Sequence, residues 1–204
     1  MPDTPGQPDV MRERLLTLLA ERSYHYRPEK PFTLASGATS PFYLDARVTT
    51  WDPEAKPLIG ALVFDLVDGK ADAIGGLTLG ADPIAGAVAY YSQLVGRPIR
   101  AFTVRKQVKE HGMGRWIEGS IRAGDRVAIV DDTVTTGTST IDAVDRCRRA
   151  GHAVAAVVVL VDRQEGGLDR IRAAVGEGVP CTALFTRADL ERRVMRDRGA
   201  APPS

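Results

Sequence analysis

Cysteine is scarce in this chain, and so is any excess of charge of one sign. Cys147 and Cys181 stand far apart, with no CxxC pair and no His-rich neighbour. That spacing excludes a disulfide framework and a zinc site and leaves two buried, reduced thiols as the expectation. Lysine and arginine number 27 against 26 aspartates and glutamates, a net charge of +1. No global field would therefore hold the chain on nucleic acid or on an anionic membrane, and any useful charge has to be local. The longest apolar run, residues 153–161, is nine residues, roughly half of the ~20 that span a bilayer. The opening Met-Pro-Asp-Thr-Pro-Gly-Gln-Pro lacks a basic n-region and an apolar stretch, so it reads as a frayed leader, not a signal peptide. The expectation is a soluble, cytoplasmic protein. With 20 glycines and 13 prolines, and no internal repeat, low-complexity tract or linker, the 204 residues suit one globular domain with an appendage.

What is present is a change of pattern near residue 71. Before it, Met11, Leu15, Leu16, Leu18 and Leu19 form one stripe of an amphipathic helix over residues 10–21. Residues 32–47 alternate short β-prone runs with Ser-Gly and Ser-Pro breaks, as a hairpin or hood would. Asp52-Pro53 then caps a helix running to about Val67, whose start Pro57 could move forward by a turn. After residue 71, strands at 73–78, 99–104, 126–131, 153–161 and 181–185 alternate with helices at 83–95, 138–150, 167–175 and 188–196. The continuous apolar runs at 127–130 and 153–161 are those of strands covered on both faces. The fold expected is α/β, a doubly wound and mostly parallel sheet with a small N-terminal hood. Its expected divisions are residues 1–70 (helix, hood and leading helix), 71–198 (α/β core) and 199–204 (a loose tail), in a single structural domain.

Two stretches carry chemistry. The first is Arg126-Val-Ala-Ile-Val-Asp-Asp-Thr-Val-Thr-Thr-Gly-Thr-Ser-Thr140, an apolar strand running through two carboxylates into a Thr/Gly turn and a helix. In an open parallel sheet ligands bind where strands end and the next helix begins. Backbone N–H groups over 135–139, aided by the helix dipole and by the hydroxyls of Thr135, Thr136 and Thr138, can hold an anion. The stretch is neither GxxxxGK[ST] nor GxGxxG, which counts against a P-loop ATPase and against dinucleotide binding. Asp131 and Asp132 are acceptors suited to vicinal hydroxyls, so a ribose 5-phosphate fits. The competing reading is that these acids and threonines merely cap the turn and the helix. The second stretch, residues 105–119, is too polar and Gly-rich for a buried strand and too long for an ordinary connection. Arg105, Lys106, Lys109 and Arg115 outnumber Glu110 and Glu118, and His111 can add to the charge; it reads as a mobile, cationic loop.

The strand–acid–acid–hydroxyl–Gly–helix order resembles the phosphoribosyl pyrophosphate signature of the type I phosphoribosyltransferases. Phe32-Thr-Leu-Ala-Ser-Gly, Ser40-Pro-Phe-Tyr-Leu-Asp-Ala-Arg47, Gly76-Leu-Thr-Leu-Gly-Ala-Asp-Pro-Ile-Ala85, Arg105-Lys-x-x-Lys-x-His-Gly112 and Val161-Asp-Arg-Gln-Glu-Gly166 resemble, in that order, the landmarks of the orotate phosphoribosyltransferase family. They cover about two-thirds of the chain. The resemblance implies transfer of ribose 5-phosphate from phosphoribosyl pyrophosphate (PRPP) to orotate, giving orotidine 5′-monophosphate and pyrophosphate in pyrimidine biosynthesis. It also implies Mg²⁺, brought mainly by the pyrophosphate and hydroxyls of PRPP with no dedicated protein metal site, and a homodimer whose loops reach into each other's active sites.

Residue by residue, the resemblance implies Lys109 and Asp132 as catalytic. It implies PRPP contacts from Arg105, Lys106, Lys109, His111, Asp131, Asp132, Thr133, Val134, Thr135, Thr136, Gly137, Thr138 and Ser139. Orotate would meet Thr135, Arg163, Phe42 and Tyr43, and neither nucleic acid nor membrane is an expected partner. Two departures stand out. Ala35 occupies a position where some members carry lysine, and the turn Thr78-Leu-Gly-Ala-Asp82 lacks the lysine that some present to pyrophosphate, leaving backbone N–H groups and Asp82 there. A transferase for another base, or a regulatory protein that keeps the fold and binds RNA, are the alternatives. His25 and His152 read as surface or turn histidines, Trp51 and Trp116 as packing or loop-anchoring aromatics, and Arg192, Arg193, Arg196 and Arg198 as a solvated helix face.

Overall fold

The structure, a computed structural model, describes residues 7–33, 37, 39–107 and 116–197. Ala35, Lys109, His111, Arg198 and the expected tail at 199–204 lie outside the described residues.

Six strands form the central sheet: β5 (Ala73–Leu77), β6 (Arg100–Val104), β7 (Ile117–Gly119), β8 (Arg126–Val134), β9 (Ala153–Asp162) and β10 (Cys181–Thr186), in the order β10-β9-β8-β5-β6-β7. All neighbours are parallel except β6 and β7. The apolar runs bury both faces, and alternation sorts their side chains. Ala128, Val130, Val158 and Leu160 face one core, with Leu15, Leu18 and Leu19 of α1 (Pro8–Arg22), Ile59, Val63 and Phe64 of α3 (Ala55–Val67), Ile84 and Val88 of α4 (Asp82–Leu94) and Leu190 of α7 (Arg187–Asp197). Val127, Ile129, Val157 and Val159 face the other, against Val144 and Cys147 of α5 (Thr138–Arg149) and Leu168 and Ile171 of α6 (Gly167–Val175). Each fully buried Leu, Ile or Phe contributes about 1.5–3 kcal/mol. The N-terminal helices thus share a core with the sheet. No described helix is long and apolar enough to cross a membrane.

The hood segment is two small antiparallel pairs. β1 (Tyr24–Tyr26) pairs with β4 (Phe42–Leu44), and β2 (Phe32–Thr33) with β3 (Thr39–Ser40). A four-residue helix, α2 (Arg47–Thr50), follows. α3 begins at Ala55, past Asp52-Pro53, with Pro57 in its first turn, where a missing N–H costs no helical bond.

Several sequence expectations change. β8 continues past residue 131, because Thr133 and Val134 still pair with Val161 and Asp162. Both carboxylates therefore sit in paired backbone and not in a loop. Residues 117–119, expected in the cationic loop, are the edge strand β7: Gly119 lies so close to Phe102 and the Ala101 carbonyl that only a glycine admits the pairing. His152 is buried, 9% exposed, with Nδ1 unpartnered, and not at the surface. Arg193 is largely covered and lies 3.6 Å from Glu13 of α1. Both cysteines are free; Cys147 is buried, which pushes its thiol up to about 12, and Cys181 is half-buried.

Candidate active site

The sheet changes winding direction between β5 and β8. The chain leaves β5 through α4 toward β6, and leaves β8 through α5 toward β9. That divergence opens a crevice at the carboxyl ends of the two central strands. The turn after β5 enters it: a Cβ on Gly80 would lie 2.6 Å from Asp132 Oδ1 and 3.0 Å from Asp131 Oδ1, so any side chain there would push the paired acids aside. Asp82, at the start of α4, accepts hydroxyl hydrogen bonds from Thr78 and Thr103, both at 2.6 Å. Asp82 thus braces the turn that the sequence left to backbone N–H groups and Asp82.

Asp131 is 7% exposed. Its Oδ2 accepts the Thr140 hydroxyl at 2.8 Å and its Oδ1 the Asp132 N–H at 3.1 Å. Asp132 Oδ1 accepts the Thr133 N–H at 2.8 Å. Burial, and then each carboxylate's proximity to the other, raises the pKa of Asp131; burial raises that of Asp132 too, against the pull of backbone N–H donors and of Arg47. Two acids held this way resist ionising together and gain from hydroxyl donors or a cation.

Beyond them the chain turns through Gly137, where a φ of 79° and a Gly167 carbonyl that would lie 2.7 Å from any Cβ exclude a side chain. α5 then starts with no side-chain cap. The reading that the threonines serve only as caps therefore fails at α5, and its first N–H groups remain donors for an anion. A cavity of about 170 Å³ lies there, lined by Asp131 and residues 133–140. A second cavity, about 280 Å³, shares Asp131, Thr133 and Ser139 with it and adds Tyr43, Asp45, Arg47, Leu79, Gly80, Lys106 and Asp132. A phosphate-sized cradle and a larger polar chamber thus adjoin at Asp131, Thr133 and Ser139, with Asp132 on the side of the larger chamber.

The structure brings together around these cavities Asp131, Asp132, Thr133, Thr135, Thr136, Gly137, Thr138, Ser139, Lys106 and Tyr43. Val134 lines the cradle with its backbone, since its side chain is 1% exposed in the core. Arg163 and Phe42 form a separate pair beside the site. The Arg163 guanidinium lies 5.3 Å from the Phe42 ring centroid, its Nε is buried and unpartnered, and its NH2 meets Glu165 at 3.0 Å. Arg105 pairs with Glu118 of β7 at 3.1 Å. Lys109 and His111 lie outside the described residues.

Sequence reasoning passed over Asp45 and Arg47, although both stood in the Tyr43-Leu-Asp-Ala-Arg47 run. The Asp45 carboxylate receives Arg47 Nε and NH2, each at 2.8 Å, and is held below the usual carboxylate range by that guanidinium. The i,i+2 acid–base spacing at the end of a hood strand was the available signal.

No protein-family model matches the chain. The orotate phosphoribosyltransferase of Aquifex aeolicus is 46% identical over 180 residues, covering 88% of this chain and 97% of that protein. Orotate phosphoribosyltransferase of Mycobacterium tuberculosis, solved with Fe(III) dicitrate, superposes with a TM-score of 0.77 at 41% identity, covering 88% of this chain and 98% of that one. The same enzyme in complex with PRPP gives a TM-score of 0.70 at 35% identity, over 89% and 92% of the two chains.

Proposed function

The chain belongs to the orotate phosphoribosyltransferase family, and on that premise we propose how its residues divide the work of joining orotate to the ribose 5-phosphate of PRPP. The reaction breaks the bond from ribose C1 to the pyrophosphate oxygen and forms one from C1 to a ring nitrogen of orotate, giving orotidine 5′-monophosphate and pyrophosphate. The observation that carries the reading is the junction of two cavities at Asp131, Thr133 and Ser139: an uncapped helix start of phosphate size on one side and a polar chamber with Asp132 and Lys106 on the other.

The N–H groups and hydroxyls over residues 135–139 hold the 5′-phosphate, and Gly137 lets the chain turn closely around it. Asp131 and Asp132 accept the ribose hydroxyls. As the C1–O bond breaks, positive charge grows on the sugar, and the Asp132 carboxylate stabilises it; negative charge grows on the pyrophosphate, and Lys106, with Arg105, Lys109 and His111 of the same segment, balances it. Lys109 and Asp132 are the catalytic residues of this scheme. The negative charge of orotate near neutral pH lies on its carboxylate, so the proton of the attacking ring nitrogen leaves as the bond to C1 forms, to solvent or to the departing pyrophosphate, and no protein base is assigned to it. Arg163, Phe42, Tyr43 and Thr135 surround it, the guanidinium as a hydrogen-bond donor and the rings as walls.

Mg²⁺ accompanies the pyrophosphate. The carboxylates of Asp131 and Asp132, which line the larger chamber, suit an ion bound largely through substrate oxygens. When bound it supplies charge neutralisation on the leaving group. A homodimer is supported by apolar side chains left exposed at Val48, Trp51, Leu79, Tyr90 and Leu94. The residue divisions 1–70, 71–198 and 199–204 and a cytoplasmic location complete the proposal.

The test is the loss of orotate absorbance on adding PRPP and Mg²⁺. Loss that requires all three supports the reading. Turnover with uracil or a purine but not orotate would overturn it.

A further inference from the structure

Pyrophosphate is the most highly charged part of PRPP, and this chain carries alanine at position 35 and no lysine in the turn at 78–82. The 280 Å³ chamber is lined by three acids, Asp45, Asp131 and Asp132, and among the described residues by two cations, Lys106 and Arg47. Lys106 belongs to the segment after β6. Arg47 comes from the opposite part of the chain, at the start of α2, and its side chain is 51% exposed where it borders the chamber. It lies close enough to Asp132 for the two charges to feel each other.

We propose that Arg47 is a pyrophosphate-binding residue of this enzyme, preset by the Asp45 carboxylate and supplying charge at the chamber where this chain has no lysine at position 35 or in the turn at 78–82. The inference rests on the site reading above. The geometry fits the role. Asp45 takes Nε–H and one N–H of NH2 in a fork, and also accepts the Arg47 backbone N–H at 3.1 Å. Of the roughly five N–H donors of a guanidinium, this leaves three for another anion. A guanidinium held in a fork loses little further rotamer freedom when a phosphate arrives, which favours affinity. The local neighbour Asp45 keeps Arg47 from collapsing onto Asp132 in the absence of substrate, so the ribose-binding acids stay available. The chamber then presents one cation from each wall, Lys106 from the sheet side and Arg47 from the hood side, around a leaving group that gains negative charge as the bond to C1 breaks.

Calorimetric titration of the full-length protein with Mg²⁺ and inorganic pyrophosphate tests this without requiring turnover. Arg47→Ala is expected to weaken pyrophosphate binding by about tenfold or more and to raise the KM for PRPP in parallel, while the KM for orotate stays within about twofold. Arg47→Lys should fall between, since an ammonium keeps the charge and loses the fork. Asp45→Asn loosens the fork but leaves the guanidinium, and should weaken pyrophosphate binding by only a few-fold, clearly less than Arg47→Ala, because the charge remains while the presetting is lost. Unchanged pyrophosphate binding in Arg47→Ala overturns the proposal. Equal losses in Arg47→Ala and Asp45→Asn, with matching drops in Tm, also overturn it, because the pair would then be a structural brace only. A protein that binds pyrophosphate through Arg47 but does not consume orotate would sink the orotate reading and leave this one standing.

Discussion

Thr140, in the first turn of α5, donates its hydroxyl to the buried carboxylate of Asp131 across 2.8 Å, tying the helix that opens the phosphate cradle to the strand that carries the acids. Burial beside Asp132 still raises the pKa of Asp131, to about 7. Between the unfolded value near 3.9 and this raised one, the folded state binds more protons than the unfolded state. Stability therefore falls as pH rises through that window. Asp131→Asn is expected to raise Tm at pH 8 relative to the unmodified protein, with the gain vanishing toward pH 4, and to abolish most activity. Each kcal/mol is worth roughly 2–4 °C in a chain of this size. Thermal melts across pH read it, and a pH-independent difference would remove Asp131 as the cause.

Asp132 tests the charge argument at the sugar. In the asparagine variant the hydroxyl contacts can persist while the charge is lost. Asp132→Asn should lower kcat about a hundredfold or more and change the KM for PRPP by only a few-fold, as expected for an interaction made in the transition state. Equal effects on both constants would contradict that role.

Gly80 separates site geometry from stability. A methyl group there meets carboxylate oxygens, not core atoms. Gly80→Ala is predicted to cost activity heavily with little change in Tm. Gly137→Ala, by contrast, forces a side chain into a left-handed conformation and onto the Gly167 carbonyl; it should lower stability by about 1–3 kcal/mol and weaken the phosphate cradle together. Paired denaturation and kinetic measurements distinguish the two.

Arg146 joins the ends of the cationic segment. Its guanidinium lies 3.8 Å from the Trp116 ring centroid, donates to the Arg105 carbonyl, and is held by Asp142 at 2.8 Å and 2.6 Å. The Arg105 N–H in turn donates to the Trp116 carbonyl at 2.9 Å. Arg146→Met should red-shift Trp116 fluorescence in a Trp51→Phe background and lower kcat about tenfold, with the KM for orotate unchanged. An unaltered kcat would show that fixing these ends does not matter to catalysis.

The α/β pattern was legible because strands buried on both faces need unbroken apolar runs, and residues 127–130 and 153–161 supply them. The acids and threonines of 131–139 were legible because their order along the chain is itself the site. The edge strand at 117–119 was not: three residues, one of them glycine, carry no periodicity, and their pairing depends on Phe102 standing beside them. The burial of His152, just after the turn at 150–151, was not legible either, because the sequence around it carries no sign of what covers it.

By itself the sequence determined the α/β class, the local strand–acid–helix unit and the placement of charge in a chain with almost no net charge. Those properties depend on residues close together along the backbone. Only the tertiary structure decided that Gly80 abuts Asp131 and Asp132, that Asp82 ties the turn after β5 to Thr103, and that Arg47 of the hood borders the same chamber as Lys106. These juxtapositions join segments separated by tens of residues. They follow from strand order and helix packing, which no local pattern of side chains encodes.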